Sequence, residues 1–243
     1  MPAVLGSRGI APFDNPGFQF LLILPGVGPA LAAIVVTRIV YGKARVRDLL
    51  GALVRWRVGP VWYVVAVGGP MALLLGGQVI TKLLGLSTTP PTLQGDPMAL
   101  MISAFVMSLF SNPWEEVGWR GFALPHLQRR HTALIATLFV GIQWGLWHVP
   151  LFFWPGNPMA EYPFVPWLVS TVAGAVTYTW IYNSTEGSLL PVSVFHVALN
   201  TLGSAIPGVS VVALAILYVL VATILVVTFG STNLSRRERT CAG

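Results

Sequence analysis

Three short polar clusters interrupt an otherwise apolar chain, and their residue types could together hydrolyse an amide bond. The segments NPWEEVGWR, IQWGLWH and FHVALN supply Glu115, Glu116, Arg120, His148, His196 and Asn200. A carboxylate beside an imidazole can hold a water molecule and take its proton. A second imidazole and an amide can donate hydrogen bonds to the oxyanion that develops on a carbonyl group.

The first cluster contains two adjacent carboxylates that a helix must point in different directions. Successive helical residues are separated by about 100°, so Glu115 and Glu116 cannot reach the same partner. Glu116 and Arg120 are spaced i, i+4 and can pair along one face, which predicts a structural role for both. Glu115 then lies on the side shared with Trp119 and is the carboxylate left for chemistry. A buried ion-pair network without a catalytic role is the alternative.

The other two clusters place imidazoles on two further helices. His148 lies one turn after Trp144, and a lone histidine there could equally be a hydrogen-bonded core residue. His196 and Asn200 are i, i+4 neighbours on one face, although asparagine also commonly links helices in membranes. We expect Glu115 to converge with these three side chains inside the bundle. Counting from the chain turns places His148 about 10 Å deeper than the other clusters.

The elements that carry these clusters are expected to lie in a membrane. The chain is 55% hydrophobic and 9% charged, whereas soluble domains usually carry about 25% charged residues. Several apolar runs reach the roughly 20 residues that cross a bilayer as a helix. The composition therefore predicts an all-α, polytopic transmembrane helical bundle embedded in the lipid bilayer. The net charge of +6 is ascribed to membrane-flanking basic residues and not to nucleic-acid binding.

The apolar runs and turn signals predict seven spans in a single integral membrane domain, residues 1–243, with a motif-bearing core at 98–206. The spans are expected near 18–41, 61–84, 98–125, 132–153, 164–182, 188–206 and 209–229. Asn112-Pro113 should kink the third span or start a new segment, which would raise the count to eight. Residues 45–59 combine leucines at helical spacing with arginines, which predicts an amphipathic interfacial helix after the first span.

The basic residues are distributed unequally between the connectors, which predicts an orientation. Most of them fall on one side if the first connector is placed inside, and Arg8 and Lys82 fall on the other. The positive-inside rule then places the N-terminus outside and the C-terminus in the cytoplasm, as a multi-pass protein of the cell membrane. The polar, basic tail from Ser231 is expected to be mobile.

The three clusters resemble the motifs of the CPBP family of intramembrane proteases, also called the CAAX protease and bacteriocin-processing or Abi family. The family's motifs EExxxR, FxxxH and HxxxN match in order at Glu115, Glu116 and Arg120, at His148, and at His196 and Asn200. Trp144 stands where the second motif usually has phenylalanine. The surrounding sequence looks like the bacterial branch, and the resemblance covers about residues 112–201.

This resemblance implies an intramembrane endopeptidase that cuts a peptide or a membrane-associated protein. In such an enzyme Glu115 and His148 would activate the water, and His196 and Asn200 would line the oxyanion site. Family members are often classed as metalloproteases, and Glu115, His148 and His196 could hold a divalent ion such as zinc. We favour a metal-free glutamate mechanism, because asparagine is an unusual zinc ligand and the chain has no HExxH motif.

Two functions other than proteolysis remain open from the residues alone. A bacteriocin-immunity or membrane scaffold protein would keep the same helical framework without catalysis. A proton-coupled transporter would use the buried carboxylate and imidazoles as a relay, although the chain lacks the internal repeat that many transporters have. A cysteine nucleophile is excluded, because Cys241 lies in the tail.

Overall fold

The computed structural model describes residues 23–88 and 96–242, which form helices joined by short connectors, with no β-strand among them. The α-helices are α1 (Ile23–Val40), α2 (Lys43–Gly51), α3 (Val61–Leu83), α4 (Pro97–Glu116), α5 (Leu124–Gln128), α6 (Ala133–Trp147), α7 (Phe164–Ser184), α8 (Leu189–Ala205) and α9 (Val211–Phe229). A π-helical turn, Val117–Ala123, joins α4 to α5, and 3₁₀ segments cover Ala52–Val54, Val149–Phe153 and Pro158–Glu161. The prediction of an all-α helical bundle is confirmed.

Apolar helices of membrane-spanning length make this a multi-pass membrane protein. Within residues 23–88 and 96–242, four segments are long and apolar enough to cross a bilayer: Val61–Leu83, Ala133–Phe153, Phe164–Ser184 and Val211–Phe229. Two shorter apolar helices are Pro25–Val40 and Leu189–Ala205. Each expected span corresponds to a helical stretch, and the count of seven crossings stays a prediction. Residues 18–22 of the first expected span, and Arg8, lie outside the described residues.

Helix α8 carries the third polar cluster into the core of the bundle. It packs against α4 and α3, while α7 packs against α6 and α9. Helix α1 lies along α4 and the π-helical turn. They approach each other closely at Gly118, where a Cβ atom would lie 2.6 Å from the backbone carbonyl carbon of Pro29. Only glycine allows two backbones to come this close, so α1 covers the motif segment directly.

The third span departs from regular α-helix at a different place from the one expected. Helix α4 continues through Pro113 to Glu116, and the irregularity is the π-helical turn that follows. Gly118 and Gly121 occupy this turn, and neighbouring elements approach both closely. The helix is therefore wider at the turn that contains these two glycines. The chain remains helical as far as Gln128. Such π-turns frequently occur at functional sites.

The interfacial helix is shorter than the sequence predicted. Residues 43–54 are helical, but residues 55–59 are not. The reason lies at Arg55, whose Nη1 donates to the carbonyl oxygen of Glu186 over 2.8 Å and whose own carbonyl accepts from Ser188 Oγ over 2.7 Å. These contacts tie the segment to the connector before α8. The leucines of the helical part pack on the core: Leu49, Leu50 and Leu53.

The expectation of a mobile tail is wrong, because residues 231–242 pack on the bundle. The backbone N–H of Ala133 donates to Thr232 over 2.9 Å, and the N–H of Ala242 donates to Pro125 over 3.1 Å. Arg239 Nε also donates to the carbonyl oxygen of Gln128 over 2.9 Å. We call this side the tail end; it comprises residues 41–57, 125–133, 185–188 and 231–242. Most of the basic residues lie there: Lys43, Arg45, Arg47, Arg55, Arg57, Arg129, Arg130, Arg236, Arg237 and Arg239.

Candidate active site

The indole ring of Trp144 lies at the centre of the polar clusters. Its Nε1–H donates a 2.9 Å hydrogen bond to Glu115 Oε2. The guanidinium carbon of Arg120 lies 4.3 Å from the centroid of the same ring. The imidazoles of His196 and His148 stand edge-on to it, with centroids 5.4 Å and 6.0 Å away. Residues from α4, the π-helical turn, α6 and α8 thus meet around one side chain.

Glu115 is buried, with 7% of its surface exposed, and it is not part of the ion pair made by its neighbour. Its Oε2 is held by Trp144, while its Oε1 faces α1. A Cβ atom on Gly26 would lie 3.7 Å from Oε1 and 3.0 Å from the Cβ of Ser111. Helix α1 therefore packs tightly against Ser111 at this position and lies in van der Waals contact with the carboxylate. With one hydrogen bond made, the carboxylate retains capacity to accept another from water.

Glu116 is fully buried and binds two partners through one oxygen. Its Oε1 accepts from Arg120 Nη1 over 3.1 Å and from His196 Nδ1 over 2.9 Å. The first contact is the pair that the i, i+4 spacing predicts. The second differs from the sequence interpretation, which grouped His196 with Glu115. The guanidinium also lies 4.4 Å from the ring of Tyr178, so aromatic rings flank it on both helices α6 and α7.

Each imidazole is fixed through Nδ1, which leaves Nε2 for chemistry. His148 Nδ1 lies 2.8 Å from the carbonyl oxygen of Trp144. A carbonyl oxygen only accepts, so Nδ1 carries the proton, and Nε2 of the neutral ring has a free lone pair. His196 Nδ1 likewise donates to the Glu116 carboxylate. Its Nε2 can donate only when both ring nitrogens carry protons. The two histidines are therefore suited to different roles.

His148 and Asn200 lie at the margin of the cluster. His148 caps the C-terminus of α6, with its ring 5.5 Å from that of Trp167. It lies one turn beyond Trp144 on the same helix, and its depth relative to the other two clusters stays a prediction. Asn200 lies one turn beyond His196 on α8 and is exposed. Among the contacts of the described residues, none joins Asn200 to the rest of the cluster.

Several buried polar atoms near the ion pair make no hydrogen bond within the part of the chain that the structure describes. They are Asn112 Nδ2, Glu116 Oε2, Arg120 Nε and Nη2, Tyr178 OH and Ser193 Oγ. A buried polar group left unpaired destabilises a fold by about 1–3 kcal/mol, so such groups normally bind water or a ligand. The cluster therefore has hydrogen-bonding capacity that the protein itself does not use.

Three of these residues were not among the site residues expected from the sequence. Asn112 precedes Glu116 by four positions, and Ser193 precedes His196 by three. Each therefore shares a helix face with a motif residue, and that spacing could have identified both. Tyr178 had no comparable signal, because it reaches the cluster only through the packing of α7.

The zinc arrangement considered from the sequence is not formed. Among the His, Cys, Asp and Glu side chains of residues 23–88 and 96–242, no group of three could hold a metal ion. Glu115 is hydrogen-bonded to Trp144, and His196 is hydrogen-bonded to Glu116. The three expected ligands, Glu115, His148 and His196, are therefore not directed at a common point. The residues present do not fit a three-ligand ion.

Comparisons with known proteins point to the same part of the chain. A family model described as type II CAAX prenyl endopeptidase Rce1-like matches residues 97–202. A curated protein from Methanococcus maripaludis named CAAX prenyl protease 2 is 28% identical over 107 residues, which cover 41% of this chain and 39% of that protein. The chain thus spans about two fifths of the length of the relative that it matches. Every motif residue lies inside the matched range.

Proposed function

Since residues 97–202 place this chain in the CAAX protease family, we propose that it is an intramembrane endopeptidase with Glu115 as its catalytic carboxylate. The observation that carries the proposal is the separation of the two adjacent glutamates. Glu116 is committed to Arg120 and His196, whereas Glu115 is oriented by one neutral donor, Trp144 Nε1. A carboxylate that is buried, oriented and free of a cationic partner is suited to accept a proton.

Water activation is assigned to Glu115 and His148. The carboxylate takes a proton from the water as the water oxygen adds to the scissile carbonyl carbon. His148 Nε2, which has a lone pair in the neutral ring, holds the same water in place. The proton then passes to the leaving nitrogen as the C–N bond breaks, which gives a free amine and a free carboxyl group. Atoms and charge balance without a cofactor.

Oxyanion stabilisation is assigned to His196 and Asn200, which share one face of α8. Donors directed at the developing charge are often the largest single contribution to catalysis of this kind. His196 must be doubly protonated to donate from Nε2, because Nδ1 is already bonded to Glu116. The exposed Asn200 side chain can reach a substrate at the rim of the cluster. Glu116 and Arg120 are assigned a supporting role, in which they fix the orientation of His196.

The position of the cluster supports cleavage within the membrane. Glu115 lies thirteen residues before Gln128, which is about 20 Å along the helix from the tail end. The basic residues at the tail end favour a cytoplasmic location for it. We therefore propose a cell-membrane protein with a cytoplasmic C-terminus, whose substrate is a peptide or a membrane-tethered segment that enters from the bilayer.

The test is the exchange of the carboxylate for an amide at Glu115. We expect Glu115→Gln to lower cleavage by about 10²–10⁴-fold, the usual contribution of a general base. Membranes carrying the parent chain or the variant would be compared by labelling new protein termini. The purified chain in liposomes would also be given a farnesylated C-terminal peptide and its unmodified twin. Glu161→Gln, an exposed carboxylate in the connector after α6, is the matched control and should cleave like the parent.

The other interpretations predict different outcomes of the same experiment. Equal sets of new termini in both membranes, with both proteins folded, would contradict the protease proposal and favour a scaffold. Proton flux into liposomes that disappears in Glu115→Gln, without any cleavage, would favour a transporter. Cleavage of only the farnesylated peptide would define the substrate class, and cleavage of both would show that the prenyl group is dispensable.

A further inference from the structure

A cleft of about 290 Å³ opens between α3, α7 and α9 at the tail end, away from the polar cluster of Trp144. Apolar and aromatic side chains line one part of it, which we call the floor: Val61, Val65, Trp62, Trp180 and Phe229. The exposed Arg236 and Arg237 line the part that we call the mouth, and the buried Ser184 and Ser235 complete the lining. An apolar surface beside exposed basic side chains matches an amphiphile with an anionic head.

The two arginines at the mouth differ in how much of their charge is balanced. Arg237 forms an ion pair with Glu186. Arg236 forms none with any carboxylate of the described residues, and its guanidinium carbon stands 6.0 Å from the ring of Phe229. The side chain of Arg236 thus lies along the apolar edge of the cleft with its charge free. A cation held in that position is a site for a phosphate.

The floor provides aromatic surface near the tail-end termini of α3, α7 and α9. The rings of Trp62 and Trp180 contact edge to face, with centroids 4.9 Å apart. The Nε1–H of Trp180 is buried and has no hydrogen-bond partner within the described residues. Tryptophan is enriched at membrane interfaces because its ring is apolar and its N–H is polar.

We propose that this cleft binds one anionic phospholipid, with its phosphate on Arg236 and Arg237 and its first acyl carbons on the aromatic floor. Basic pockets between transmembrane helices at the cytoplasmic surface are known to suit such headgroups. A free phosphate would use the arginines but not the floor. The apolar lining is continuous with lipid-facing surface, since Val61 is 57% exposed, and this favours a lipid over a soluble anion. The proposal does not depend on the catalytic assignment.

The test measures lipid binding to the purified full-length chain. Native mass spectrometry in detergent would follow titration with phosphatidylglycerol, with phosphatidylcholine of the same chains, and with inorganic phosphate. We expect one phosphatidylglycerol to bind tightly, phosphatidylcholine to bind at least tenfold more weakly, and phosphate not to displace the lipid. Each arginine near an anionic lipid contributes about fivefold to affinity. Because Glu186 balances part of the Arg237 charge, Arg236→Gln/Arg237→Gln should weaken phosphatidylglycerol binding by about 5- to 25-fold.

Two further variants distinguish a defined site from general attraction to positive charge. Arg129→Gln/Arg130→Gln removes the same charge at the same end, outside the cleft, and should leave tight binding unchanged. Glu186→Gln frees Arg237 from its carboxylate and should tighten binding severalfold. Equal weakening by both arginine pairs, or equal affinity of the parent for the two lipids, would overturn the proposal. Displacement by millimolar phosphate would identify a soluble anion as the ligand and would also overturn it.

Discussion

Two buried polar networks lie along the same helical run, about 12–18 Å apart by helical rise, and they are satisfied to very different degrees. At the tail end, the side-chain amides of Gln128 and Asn183 bond to each other in both directions, over 3.2 Å and 2.8 Å. Their remaining donors bind the carbonyl oxygens of Thr240 and Asn233. Around Glu116 and Arg120, by contrast, several buried polar atoms have no protein partner.

The difference distinguishes a purely structural contact, which we call the clamp, from the candidate active site. A network whose members satisfy one another has nothing left to offer a third molecule, and it stabilises one arrangement of the chain. The amide pair fits this description, because it ties α5, α7 and the tail together. A network with unused donors and acceptors can bind a water molecule or a substrate. Variants of the two networks should therefore separate loss of stability from loss of activity.

The largest effect on stability is expected at Arg120. Replacing it by methionine leaves the Glu116 carboxylate buried without its arginine partner, and breaking a buried pair in this way destabilises a protein by about 3–5 kcal/mol. The free energy of unfolding in mixed micelles would measure this loss. Arg129→Met, at an exposed position, is the control and should have little effect. Glu116→Gln/Arg120→Met should recover much of the loss, because neither charge is then buried alone. A double variant no more stable than the single one would contradict this account.

An intermediate effect is expected at Asn183. Asn183→Leu leaves buried polar groups of Gln128 and the tail backbone without partners. This should lower the free energy of unfolding by about 1–3 kcal/mol. Cleavage by the folded protein should be unchanged, since the amide pair is far from Trp144. Gln128→Leu/Asn183→Leu should be closer to the parent in stability than the single variant is. Loss of cleavage in the fully folded Asn183→Leu protein would show that the clamp also acts on the site.

The smallest effect is expected at Trp144. Trp144→Phe keeps an aromatic ring beside Arg120 but removes the donor that orients Glu115. One hydrogen bond is worth about 1 kcal/mol, so cleavage by the folded protein should fall by roughly fivefold. The cleavage rates of the purified variant and of the parent chain would test this expectation. A drop as large as that of Glu115→Gln would indicate that the indole N–H contacts the substrate itself.

Local sequence spacing predicted the contacts made within one helix. It did not predict contacts that depend on how two helices are rotated relative to each other. The pair between Glu116 and Arg120 follows from i, i+4 geometry, and the apolar runs predicted the helices. The contact between His196 and Glu116 depends on how α8 is turned towards α4, which no single segment encodes. The site residues themselves remain predictions from motif and resemblance.

The docked tail was not predictable for a related reason. Residues 231–242 are polar and lack a hydrophobic period, so the sequence gives no local sign that they pack. Their partners are backbone groups near Gln128 and Ala133, more than ninety residues earlier. The π-helical turn is a similar case, because Pro29 of the first helix packs closely against Gly118 within the turn. Both features involve contacts between distant segments.

The contact between Gly118 and Pro29 has a mechanical consequence for access from the bilayer. Backbone meets backbone there with no side chain between, so a shift of either segment is passed directly to the other. Glu115 lies three residues before Gly118, and Gly26, which borders its free oxygen, lies three residues before Pro29. The first helix is thus the wall beside the carboxylate, and its tilt sets the width of any lateral opening towards the acyl chains.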